Sequence, residues 1–97
     1  MENNKMRILA VEDNIINLAT IEQELKDKYE VVTVNSGARA IRFLNKEKPD
    51  LILLDVQMAL MDGIETLKEI RTMEGGALIP VIMLTSKKDR ETVIGGT

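Results

Sequence analysis

Three acidic residues stand where chemistry would use them. Glu12 and Asp13 directly follow the apolar run "RILAV", and Asp55 directly follows "LILL". A further run, "VIML", ends in a hydroxyl pair, Thr85 and Ser86. Two carboxylates about 5 Å apart at an effective dielectric of about 20 repel by roughly 3 kcal/mol, on the order of two pKa units. A cation held among them removes that cost. All the donors are oxygens, and the chain has no histidine or cysteine, so the site favours a hard ion such as magnesium. Magnesium keeps several waters and leaves room for a phosphate oxygen. A carboxylate, a hard-cation site and a hydroxyl within one crevice suit phosphoryl transfer to the carboxylate itself, with Asp55 as the attacking group. Singly, each of these residues fits a helix cap or a turn. Their coincidence at three run ends carries the chemical reading.

The elements that must position these groups alternate in period. "RILAV" (Arg7 to Val11), "VVTV" (Val31 to Val34), "LILL" (Leu51 to Leu54) and "VIML" (Val81 to Leu84) are short, branched and apolar, and predict strands. Between them lie helical stripes. Asn14 caps the first, with Leu18, Ile21 and Leu25 facing inward, and Ser36 caps the second, with Ala40, Ile41 and Leu44 inward. Pro49 stops the second helix. From Gly63 a third stripe runs through Ile64, Leu67, Ile70 and Met73, and Gly75-Gly76 ends it. "SKKDRETVI" starts a fourth helix before Gly95-Gly96-Thr97. Strands that are apolar throughout, alternating with helices, predict a parallel sheet covered on both faces. Such sheets bind ligands outside the carboxyl ends of their strands. Asp55 therefore sits where this architecture puts its chemistry.

With 97 residues the chain makes one small domain with a thin stability margin. The lack of cysteine excludes disulfides, thiolate metal sites and a thiol nucleophile, and the lack of histidine removes the commonest neutral-pH general base. A net charge of −3 argues against a nucleic-acid surface. No apolar run approaches the roughly 18 residues of a membrane span, and no signal peptide is evident. A cytoplasmic location is expected.

The stretches "ILAVEDN", "PDLILLDVQMALMDGIE" and "IPVIMLTS", in this order and spacing, resemble the receiver domain of two-component response regulators. The resemblance covers residues 1–97 and implies a flavodoxin-like doubly wound parallel sheet of order 2-1-3-4-5. It implies that Asp55 is the phosphoacceptor, taking a phosphoryl group from a sensor histidine kinase or a phosphotransfer protein. It further implies that Asp13 binds magnesium directly, Glu12 mainly through water, and Gln57 through its backbone carbonyl. Thr85 then matches the switch hydroxyl, while Gln57 and Ser86 neighbour the phosphoryl site. Such a domain is a phosphoacceptor, with at most slow self-phosphorylation and self-dephosphorylation, rather than an enzyme.

Two departures from the family pattern stand out. Ala59 occupies a loop position where the family usually has proline, which loosens the segment after Asp55. The family also continues into a fifth strand carrying an essential lysine, and Lys87 and Lys88 follow the fourth run too closely to be that lysine. The domain is therefore expected to be incomplete at its carboxyl end, with order 2-1-3-4 and an apolar fourth-strand edge open to pairing in a homodimer. A receiver-like interaction module with impaired phosphorylation is the alternative. A phosphatase of the haloacid dehalogenase type would need a second Asp where Gln57 stands.

Overall fold

Four short runs of apolar residues form the strands β1 (Arg7–Val11), β2 (Glu30–Val34), β3 (Leu51–Asp55) and β4 (Val81–Leu84). They make one parallel sheet of order β2-β1-β3-β4. The computed structural model describes residues 5–55 and 63–84. Helices α1 (Ile15–Leu25), α2 (Gly37–Lys46) and α3 (Gly63–Thr72) alternate with the strands, and a 3-10 turn, Gly76–Leu78, leads into β4. The expected flavodoxin-like order 2-1-3-4 is thus what the chain adopts. The fourth helix expected after β4 lies outside the described residues.

The helix starts follow their capping residues. The Asn14 side chain accepts from the Asn17 N–H at 3.0 Å, and Ser36 Oγ accepts from the Arg39 N–H at 3.1 Å. Each satisfies a backbone donor that the first turn leaves open.

The core lies between the sheet and one pair of helices. Leu9, Val11, Ile52 and Leu54 of the inner strands pack with Ala40 and Leu44 of α2, Ile70 of α3 and Ile79. On β1, Ile8 and Ala10 alternate with these residues and are also buried, so both faces of β1 are covered. Helix α1 packs on β1 and β2 and contributes nothing to the buried cluster. Leu18, Ile21 and Leu25 are inward but only half-buried, because no second helix lies beside α1 among the described residues. Among those residues no helix is long and apolar enough to cross a membrane.

Helix α3 departs from its expected stripe. Gly63, Thr66 and Ile70 are buried, while Ile64 is 46 % exposed. A step of three residues turns an α-helix by about 300°, so the row 64, 67, 70, 73 drifts about 60° per step and cannot face one way. Thr66 takes the inward place that Ile64 loses. Beyond α3, Arg71 Nη1 donates to the carbonyls of Gly76 at 2.9 Å, Ala77 at 3.3 Å and Ile79 at 2.8 Å. This ties the turn that aims β4 back onto the helix. At the opposite end of the sheet Arg7 joins β1 to Glu30 and Glu47, and its N–H donates to Asp50 Oδ2 at 2.8 Å.

Candidate functional site

Strand register sets the site. Val11 of β1 pairs with Leu54 of β3, so the next residues, Glu12 and Asp55, emerge level with each other at the carboxyl ends of the two central strands. Asp55 is the last residue of β3 and pairs with Leu84 of β4. The Glu12 N–H donates to the Val34 carbonyl at 3.1 Å, which carries the β-ladder one residue past β1 and holds Glu12 over the sheet. Glu12 Oε2 in turn accepts from the Asn14 N–H at 3.1 Å.

Oxygens of Glu12, Asp13 and Asp55 lie within 4.8 Å of one another. The three expected acids therefore converge, although unequally. Glu12 and Asp55 are each only 6 % exposed, whereas Asp13 faces solvent. Asp13 is not the cap of the first helix, since Asn14 fills that place. Gln57, Thr85 and Ser86, expected around the same crevice, lie outside the described residues. So do Ala59, Asp62, Lys87 and Lys88.

The electrostatics centre on Glu12. Its carboxyl is raised from 4.5 to about 7, first by burial, against the lowering effect of the Asn14 N–H. The charge of Asp55, a hydrogen bond to Asp55 and the charge of Asp13 supply the rest of that rise. A side-chain hydrogen bond joins the Glu12 and Asp55 carboxyl groups. The bond between the two carboxyl groups is not evident from the residue types; its signal is that Glu12 and Asp55 each directly follow an apolar run, "RILAV" and "LILL", on adjacent strands.

A pH dependence follows. Glu12 loses its proton near 4.5 in the unfolded chain and near 7 in the folded one, so the fold binds more protons in that window. Stability is then fully present below about 4.5 and falls as pH rises through about 7. The expected loss for metal-free protein is on the order of 2 kcal/mol. Glu12→Gln should flatten the curve in this window. Chemical denaturation at a series of pH values between 4.5 and 8 reads it, and a stability that instead rises over that range would contradict the protonated pair.

Residues 8–96 match the family model of the response regulator receiver domain. The alkaline phosphatase synthesis transcriptional regulatory protein PhoP of Bacillus subtilis is 35 % identical over 94 residues, 96 % of this chain. The chain spans 38 % of that regulator's length. Among solved structures, the chemotaxis response regulator CheY4 of Vibrio cholerae superposes with a TM-score of 0.82 at 31 % identity, covering 97 % of this chain and 82 % of that one. The receiver domain of sensor histidine kinase PA1611 from Pseudomonas aeruginosa superposes with a TM-score of 0.81 at 35 % identity, covering 96 % and 80 %. That structure has a magnesium ion coordinated in its active-site cleft.

Proposed function

Because this chain belongs to the response regulator receiver domain family, we propose that it is a phosphorylation switch in which Asp55 accepts a phosphoryl group. The donor is a phosphohistidine on a sensor histidine kinase or a phosphotransfer protein. The observation that supports this most directly is the buried Asp55 at the end of a central strand, with two more carboxylates within 4.8 Å.

An Asp55 carboxylate oxygen attacks phosphorus as the bond from phosphorus to the donor's imidazole nitrogen breaks. The imidazole leaves, and the product is an acyl phosphate on Asp55. Glu12 sets the ground state, because its proton must go before the crevice carries its full negative charge. The Asn14 N–H and the Glu12–Val34 backbone bond keep the Glu12 carboxyl aimed at Asp55. The donor set, oxygen only and partly exposed through Asp13, fits a hard cation that keeps waters. Glu12, Asp13 and Asp55 would hold magnesium there, which when bound supplies positive charge to the phosphoryl oxygens. By the family resemblance, the Gln57 carbonyl completes the metal site and Thr85 is the hydroxyl that reports phosphorylation. Gln57 and Ser86 tune its lifetime. The reading places the domain in the cytoplasm.

Treatment with acetyl phosphate and magnesium should give a covalent phosphate that hydroxylamine removes and that chelation of magnesium prevents. Failure of both acetyl phosphate and a phosphorylated histidine donor to label the chain would overturn the proposal. The metal half has its own readout. Magnesium at about ten times its dissociation constant should stabilise the fold by about 1.4 kcal/mol, and Asp13→Ala should remove most of that gain. Without metal, Asp13→Asn should raise the melting temperature, since it deletes one repelling charge from an exposed position. A fall in that temperature would instead make Asp13 a structural residue.

A further inference from the structure

Away from the acidic crevice, a groove of about 450 Å³ wraps the outer edge of the sheet at β2. Ile15 and Leu18 of α1 form one bank, and Arg39, Arg42, Phe43 and Lys46 of α2 form the other. Thr33, Val34 and Asn35 make the floor. We propose that this groove binds an extended, acidic and apolar peptide segment of another protein, which adds as a strand to the free edge of β2.

The backbone supplies the first reason. Glu30 donates its N–H to Met6, and Val34 accepts from Glu12. In a parallel ladder these alternate residues face β1, so Val31 and Thr33 turn their N–H and C=O groups outward. Among the described residues β2 is the last strand on that side, and nothing pairs with those groups. Strand addition to an exposed edge uses such groups for affinity and flanking side-chain sites for selectivity.

Charge supplies the second. Arg39, Arg42 and Lys46 are spaced three and four residues apart, so they share one helix face. All three are exposed, and none has an ion-pair partner among the described residues. Like charges at this spacing destabilise a helix, and no acidic residue lines the groove. They stand on a chain whose net charge is −3. A ligand carrying carboxylates at alternate positions would meet this bank. Its intervening apolar side chains would turn to the other bank and cover Leu18, which is half-buried, and Ile15, which is 74 % exposed. The three basic residues had no expected role; their spacing was the signal.

The probe is the peptide acetyl-Asp-Val-Glu-Leu-Asp-Val-amide, titrated into the 97-residue chain labelled with nitrogen-15. A control peptide carries Lys at the three acidic positions. The acidic peptide should shift the amides of Val31, Thr33 and Asn35 and slow their hydrogen exchange, and the Lys peptide should not. The double variant Arg39→Glu/Arg42→Glu should weaken binding by about tenfold or more. If that variant loses its dispersed spectrum, Arg42→Gln/Lys46→Gln takes its place, with a smaller loss expected. N-methylation of alternate peptide amides, tried in both phases, should abolish binding in one phase only. Equal binding of both peptides, a bound peptide that is helical, or shifts confined to other surfaces would each overturn the proposal.

Discussion

Asp55→Asn is expected to abolish phosphate labelling completely while leaving the fold intact. An amide of nearly the same shape replaces the carboxylate, so the packing of a side chain that is only 6 % exposed is kept. What is lost is the nucleophile, since a neutral amide oxygen does not displace a phosphoryl group at neutral pH. The same substitution removes one charge from the cluster within 4.8 Å. Glu12 then keeps the upward push of burial but loses that of the Asp55 charge. Its titration should therefore move down from about 7 toward its ordinary range. One variant thus gives two readouts: no covalent phosphate from acetyl phosphate or a phosphohistidine donor, and a stability-against-pH curve that breaks at lower pH. Labelling that survives would place the chemistry on another residue. Lost labelling with an unchanged pH curve would keep the chemistry on Asp55 but dismiss its coupling to Glu12.

Gly76→Ala is expected to cost about 3 kcal/mol or more, on a domain whose total stability is about 5–15 kcal/mol. An added Cβ would lie 2.0 Å from the Ile70 carbonyl oxygen and 3.1 Å from its carbon. The obstacle is helix backbone in the core, where Ile70 is fully buried, so no side chain can swing aside. The turn would have to move. It would strain the Gly76 N–H bond to Met73 at 2.9 Å and the Arg71 contacts to Gly76, Ala77 and Ile79. Those contacts aim β4, whose Leu84 pairs with Asp55, so the damage should reach the site through the strand. Gly75→Ala is the contrast. Its φ is +79° and its nearest neighbour is the end of the Lys48 side chain at 3.4 Å, so the cost should be that of a left-handed alanine, about 1 kcal/mol. Urea unfolding of both variants separates the cases. A loss below about 1 kcal/mol for Gly76→Ala would show that the turn relaxes freely.

Much of the scaffold was legible in the residues because it rests on local physics. Branched apolar runs marked all four strands, and Asn14 and Ser36 announced two helix starts through the hydrogen bonds their side chains can make. The acid after "LILL" followed from the rule that strand ends of parallel sheets carry the chemistry, and Asp55 lies there. Other features depend on distance across the fold, which residue order does not encode. Adjacent Glu12 and Asp13 look alike in the chain, yet the ladder bond to Val34 turns Glu12 under cover and leaves Asp13 in water. Thr66, not Ile64, turns inward because 3.6-residue rotation outruns a three-residue pattern. Gly75 and Gly76 both read as a helix stop, but one is needed for its φ and the other for its closeness to Ile70. The groove at β2 joins α1, β2 and α2, elements whose banks face each other only once β2 becomes the sheet's edge.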